Sequence, residues 1–137
     1  MHKSFNHIVK VYYEDTDAGG VVYYANYLKF LERARSEALS DIGLSNLKIK
    51  KENNALIIVK SCNIDFNKSA HLEDQLRINS FITKFSKTSF IMSQSIFRDN
   101  DIIVNSKVHL VFVNEKSKPI KIPEKILKSL KPFLSIN

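Results

Sequence analysis

A single domain spanning residues 1–137, with one long helix packed against a mainly antiparallel five-stranded sheet, is the α+β fold that this sequence predicts. Two observations point there. From residue 27 apolar side chains recur at helical spacing for about four turns, and from Leu56 onward the period drops to two and stays there through four successive runs. Helix and strands therefore fall in separate blocks instead of alternating, which is the layout of an α+β layer fold. At 137 residues the chain is long enough for one complete core and too short for two ordinary domains.

Taken in order, residues 8–13 alternate and are rich in β-branched and aromatic types, as a first strand requires. Tyr27, Phe30, Leu31, Ala34 and Ala38 then mark the apolar face of the helix, widened by Leu28 and Leu39. Arg33 with Glu37, and Glu32 with Arg35, are spaced to pair on its polar sides. Asn26 is the expected N-cap, and Gly43 is placed to end the helix in the left-handed conformation. Of the period-two runs, Leu56, Ile58, Cys62, Ile64 and Phe66 share one face. Leu76, Ile78 and Ile82 form the next, then Phe90, Met92 and Ile96, then Ile102, Val104, Val108, Leu110 and Phe112. Breaks at residues 86–87 and 99–101 are short enough for hairpins, hence the antiparallel pairing. Pro123 is expected to open a short terminal helix.

Composition narrows the class. With 44% apolar and 26% charged residues and three each of glycine and proline, the chain reads as a soluble globular protein. The formal charge of +7 arises from scattered lysines with no stripe of interleaved aromatics, which argues against a nucleic-acid interface. No apolar run reaches membrane-spanning length. The N-terminal segment enters strand alternation without a cleavable apolar stretch, so a cytoplasmic location is expected. The single cysteine, Cys62, has no partner for an intramolecular disulfide and is expected to be a small hydrophobe in or near the core.

Chemistry concentrates in one place. Glu14-Asp15-Thr16-Asp17-Ala18-Gly19-Gly20-Val21-Val22-Tyr23-Tyr24-Ala25-Asn26-Tyr27 sets carboxylates in a glycine-bearing turn just before the helix. A carboxylate can act as nucleophile or base, glycines let a substrate approach the backbone, and unpaired N–H groups at a helix start can stabilise an oxyanion. A calcium loop starting at Asp15 fails because Asn26 stands where the bidentate glutamate belongs. Aspartate-nucleophile phosphatases share the Asp-x-Asp spacing but alternate strands with helices. His2, His7, His71 and His109 show no zinc-type spacing with Cys62, so no metal site is expected.

Residues 11–27, followed by Glu32-Arg33-Ala34-Arg35-Ser36-Glu37, resemble the signature of hotdog-fold acyl-CoA thioesterases of the 4-hydroxybenzoyl-CoA thioesterase family, nearest to its Tol-Pal-associated branch. The resemblance implies a helix wrapped by a sheet, homodimers or homotetramers, and hydrolysis of acyl-CoA at a site shared between subunits. No separate cofactor is expected, CoA entering as part of the substrate. Asp17 matches the family's essential aspartate. Tyr24 stands where that branch usually has histidine, whereas the 4-hydroxybenzoyl-CoA enzymes resemble this chain in having tyrosine. The backbone at the helix start, including Ala25 and Asn26, would polarise the thioester carbonyl, with Gly20 and Val21 lining the approach. Read from the residues, Lys87, Thr88 and Ser89 offer donors to the CoA phosphates or pantetheine, or else form a plain polar turn. Asp15 and Glu14 are best read as local caps or supports. The alternative function is a non-catalytic hotdog module that binds acyl-CoA or an acyl carrier protein.

Overall fold

The computed structural model describes residues 3–135. The elements in chain order are β1 (Phe5–Lys10), α1 (Ala25–Asp41), α2 (Asn46–Asn53), β2 (Leu56–Phe66), β3 (Gln75–Phe85), β4 (Ser89–Arg98), β5 (Asp101–Val113) and α3 (Glu124–Leu130). The strands form one sheet in the order β1-β3-β4-β5-β2, every neighbouring pair antiparallel. β1 and β2 are the edges.

α1 lies against one face of this sheet because its small and apolar residues share a side: Tyr27, Phe30, Leu31, Ala34, Ala38 and Leu39 are buried. Its N-terminal half packs with Val11, Val22, Ala70, Leu76, Ile78, Ile96, Ile103 and Val104. The C-terminal half joins a second cluster built on Phe90, Met92, Leu110 and Phe112, closed below by Ile126 and Leu130 of α3. A polar crosspiece lies near α1 inside the fold. The fully buried Gln94 amide donates to the Leu31 carbonyl at 3.1 Å and to Ser80 Oγ at 3.0 Å, and its oxygen accepts from Arg35 Nη1 at 2.9 Å. Burial pulls the Arg35 guanidinium below its ordinary value, while the nearby Glu32 carboxylate pushes the other way.

Several local expectations change. Asn26 is not the N-cap: Tyr24 already has helical dihedrals (φ −55°, ψ −33°) at the cap position, so the helix starts earlier and no side chain caps it. Gly43 does take a positive φ of 78°, and the Leu44 N–H reaches back to the Leu39 carbonyl at 2.8 Å, the bonding of a left-handed terminus. Pro123 is the N-cap residue of α3, one position before the helix. α2 is unanticipated; Ser45 caps it by accepting from the Lys48 N–H at 3.2 Å.

Register shifts rearrange the expected strand faces in β2 and β5. In β2 the shift between Val59 and Ser61 inserts an extra residue, so Leu56 and Ile58 lie on the opposite side from Cys62, Ile64 and Phe66. In β5 the shift facing Ile96 and Phe97 makes Ile103 and Val104 both fully buried, while Ile102 is 39% exposed. Cys62 is exposed in this chain, because it belongs to an edge strand that α1 does not fully cover.

Candidate active site

The carboxylate turn is a tight, self-bonded loop. Thr16 and Val22 form a β-bridge at its base, the Asp17 N–H donates to the Val21 carbonyl at 2.9 Å, and the Gly20 N–H returns to the Asp17 carbonyl at 3.0 Å. Gly20 has φ +79°, the left-handed conformation that explains a glycine here. Asp17 Oδ1 accepts the Gly19 N–H at 2.8 Å, an Asx turn that fixes one carboxylate oxygen and leaves the other without a partner among the described residues. A Cβ on Gly19 would sit 3.3 Å from that same oxygen. Asp17 is solvent-exposed in the single chain.

Asp15 has a different task. Its carboxylate accepts the Tyr12 N–H at 2.9 Å, capping the short 3-10 turn at Tyr13–Asp15. Its carbonyl takes two donors, the Tyr23 N–H at 3.0 Å and Asn26 Nδ2 at 2.9 Å. Asn26 thus works from inside the helix, tying its first turn to the carboxylate loop. The Asn26 N–H is spent on the Tyr23 carbonyl at 2.8 Å. Tyr24 and Ala25 come before it, at the helix start where intrahelical acceptors are missing. The Tyr24 ring is exposed and packs on Tyr23 (5.0 Å between centroids) and edge-on to Phe66 at 6.1 Å.

The wall behind the turn is the stretch between β2 and β3. The Val22 N–H donates to the Ala70 carbonyl at 2.9 Å, Val21 bridges to His71, and the Leu72 N–H donates to the Gly20 carbonyl at 3.2 Å. Ala70, itself fully buried, gives its N–H to the Tyr27 hydroxyl at 3.0 Å. Desolvation raises the Tyr27 phenol above its ordinary value against the opposing pull of that N–H and of Arg98. Tyr27→Phe is expected to strand the buried Ala70 donor and cost about 1–3 kcal/mol of stability, measurable by urea unfolding.

Lys87, Thr88 and Ser89 are not beside Asp17 within the chain. They lie at the far end of β3, whose 11 residues at about 3.3 Å each separate the two places by roughly 30 Å. Ser89 is buried and its hydroxyl contacts Ser86 and His109 Nε2, the latter at 2.9 Å. The Thr88 carbonyl accepts the Phe112 N–H and the Lys87 carbonyl the Ile122 N–H, both at 2.9 Å. A cavity of about 180 Å³ lies between α1 and the start of β2, floored by Leu39, Ile57, Val59, Phe90, Met92 and Leu110 with Glu32 and Arg35 on its polar side. It does not include Asp17 either. Among the described residues no three His, Cys, Asp or Glu side chains converge as a metal ion would need, and no helix is long and apolar enough to cross a membrane.

A long helix on an antiparallel sheet, with an aspartate turn at the helix start, defines the hotdog thioesterase class. Residues 11–130 match the thioesterase-like superfamily, and the chain belongs to that family. Among its relatives, the acyl-CoA thioesterase YbgC of Haemophilus influenzae is 33% identical over 127 residues, covering 92% of this chain and 93% of that protein. The acyl-CoA thioester hydrolase YbgC of Escherichia coli O157:H7 is 38% identical over 125 residues, covering 90% and 92%. In three dimensions the chain is similar to a probable thioesterase from Bartonella henselae, with a TM-score of 0.85 and 33% identity over 88% of this chain and 100% of that one.

Proposed function

We propose that this protein hydrolyses acyl-CoA thioesters to a free acid and CoA, with Asp17 as the reactive carboxylate and N–H groups of Tyr24 and Ala25 as oxyanion donors. The observation that carries this reading is the Asp17 carboxylate, held by the Gly19 N–H on a turn that is bonded directly to the start of α1. Hydrolysis adds water across the acyl carbon: a C–O bond forms, the C–S bond breaks, and the proton ends on the thiolate or on solvent. Asp17 serves either by attacking the carbon or by taking a proton from the attacking water, and both routes need the same oxyanion donors. A thiolate is a good leaving group, so Tyr24 in place of histidine is compatible with turnover. The membership of the family and the YbgC relatives support the choice of thioester over other acyl substrates.

A homodimer joined through β2 completes the site. β2 is an 11-residue edge with Leu56, Ile58, Val59 and Phe66 each more than 40% exposed, the kind of strand that pairs with a copy of itself. Antiparallel pairing across a two-fold axis sets the Leu56 end of one strand beside the Phe66 end of the other. The partner's Lys87, Thr88 and Ser89, at its own Leu56 end, then come to the end of the sheet that holds Asp17. The cavity beside Ile57 and Val59 arrives there too, as a receptacle for the acyl group. Its volume compares with the roughly 150 Å³ apolar cavity that takes up benzene, which suits a ring or a short chain. The cytoplasm is the setting that fits this reading.

The test is free-thiol release from a panel of short-chain, long-chain and aromatic acyl-CoAs, with an acyl carrier protein thioester as a separate arm, and the mass by sedimentation. Turnover by a dimer or tetramer is expected. Saturable acyl-CoA binding with no thiol release would instead establish a binding module, and a monomer that turns over would remove the shared site.

A further inference from the structure

We propose that Asp74 and Arg98 are positioning residues for Asp17, clamping the β2–β3 segment against which the catalytic turn is built. The inference rests on the thioesterase reading for its kinetic consequence, and on the geometry alone for the coupling itself.

The turn that carries Asp17 is oriented from outside. On one side the Asp15 carbonyl ties it to Tyr23 and Asn26 at the start of α1; on the other, the Asp17 backbone bonds to Val21 and Gly20, and those residues are laid along residues 70–72 by the Val22 to Ala70 bond, the Val21–His71 bridge and the Leu72 to Gly20 bond. Residues 70–72 are therefore one of the two supports that orient the carboxylate, and the one that lies outside the turn and α1. That segment has little regular structure, and it contains Glu73 in the left-handed region at φ 69°, a strained conformation for a non-glycine residue. Such a turn persists only where its surroundings over-determine it.

Val11 bonds the backbone of Glu73 and Asp74, and the side chains of Asp74 and Arg98 add the constraint at residues 69–71. Asp74 Oδ2 accepts from the His71 N–H at 2.8 Å and from Arg98 Nη1 at 2.8 Å. Arg98 Nη1 also donates to the Ser69 carbonyl at 3.0 Å, so one guanidinium nitrogen grips both ends of the 69–74 segment. Arg98 is the last residue of β4, a central strand, and the clamp thus joins a loop to the rigid interior of the sheet. Both side chains are about three-quarters buried, where a charge-assisted hydrogen bond holds its geometry far better than an exposed pair. Burial would raise the Asp74 carboxyl, but the His71 N–H and the Arg98 hydrogen bond and charge, with a smaller contribution from His71, outweigh it and hold the group below its ordinary value. His71 Nδ1 lies 3.8 Å from the same carboxylate and 3.5 Å from Arg98 Nη1.

The route from clamp to chemistry is short: Arg98 to Asp74 and Ser69, then residues 70–72, then Val21–Val22, then Asp17. A misplacement of about 1 Å at the reacting carboxylate is enough to cost on the order of 100-fold in rate. Neither Asp74 nor Arg98 touches the turn's carboxylate, so their effect runs wholly through position.

Steady-state hydrolysis by wild type, Arg98→Met, Arg98→Lys and Asp74→Asn tests this, combined with amide hydrogen exchange. Arg98→Met is expected to lower kcat by about 10- to 100-fold with KM changed less than about threefold. Arg98→Lys should recover part of the loss, since the ammonium keeps one bond to Asp74. In Arg98→Met the amides of Gly20, Val22 and Leu72 should exchange faster while those of β4 and β5 keep their protection. An unchanged kcat in folded Arg98→Met, or a loss of kcat in step with protection throughout β4 and β5, would overturn the proposal. Should wild type hydrolyse no thioester, the thioesterase reading fails, and exchange still decides the coupling: unaltered rates at Gly20 and Val22 would sink it.

Discussion

Asp17→Asn is expected to lower kcat for acyl-CoA hydrolysis by at least about 100-fold and to leave the melting temperature nearly unchanged. The two halves of that expectation come from the two oxygens. Oδ1 accepts the Gly19 N–H at 2.8 Å, and an asparagine side-chain oxygen can keep that bond, so the turn retains its shape. The amide has no negative charge, and it can neither attack an acyl carbon nor take a proton from water at neutral pH. A residual rate from the oxyanion donors and from substrate binding should remain. Thiol release measured beside a thermal melt distinguishes the outcomes, and a fully active Asp17→Asn would move the chemistry elsewhere in the site.

Phe30→Ala is expected to produce the largest loss of stability, about 3–5 kcal/mol. Phe30 is 1% exposed in the first half of α1, edge-on to Tyr27 at a centroid separation of 6.2 Å, and packed with the cluster that includes Val11, Leu76, Ile78 and Ile96. Helix and β-strands cannot both close over the space a missing ring leaves, because the backbone of each is held by its own hydrogen bonds. Set against a total stability of roughly 5–15 kcal/mol, the loss brings the fold close to its limit. Activity should fall below the melting temperature as well, since the same half of α1 presents Tyr24 and Ala25. Urea unfolding gives the stability change, and a loss below about 1 kcal/mol would show that the cluster repacks.

Most of the main elements could be read from the chain because each follows a periodicity of its own. The first strand, however, runs over Phe5–Lys10 and not residues 8–13, since the chain turns at Tyr13 into the 3-10 turn that precedes Asp17. Residues 27–39 keep the helical period without interruption, and α1 appears there. α2 escaped because NLKIKKEN has only two apolar residues; Ile49 is buried while Leu47 is 77% exposed, so no stripe could signal it. Its local marks were Ser45 as a cap and Asn54 in the left-handed conformation at φ 52°, both visible only to a search for helix ends. The faces of β2 and β5 each depart from strict alternation at one point. A single inserted residue reverses the alternation, and an insertion of that kind is a property of strand pairing with no composition of its own.

The same division runs through the site. The Asp17 turn and the helix start are contiguous in sequence, so carboxylate, glycines and helix signal could be recognised together. Asp15 as a cap followed from the same local logic and is met by the Tyr12 N–H. The hairpin at residues 86–87 brings the beginning of β3 beside the end of β4, but that Arg98 meets Asp74 depends on the register, which shifts between Ile82 and Lys84. Nor could Tyr27 be known to hold the Ala70 N–H, since its place in the helical stripe announces only burial.

Period, capping and turn chemistry depend on neighbours within a few residues, and they were sufficient for the α+β class and the long helix, while the resemblance of residues 11–27 to the thioesterase signature singled out Asp17 among the carboxylates of the turn. What came from tertiary structure alone is everything that depends on which distant groups share a neighbourhood. It separates Lys87, Thr88 and Ser89 from Asp17 by the length of a strand, leaves β2 as an open apolar edge, and closes the Asp74–Arg98 clamp behind the turn. Those facts follow from strand order and register, which are set by the packing of the whole sheet against α1 and are written in no single stretch of the chain.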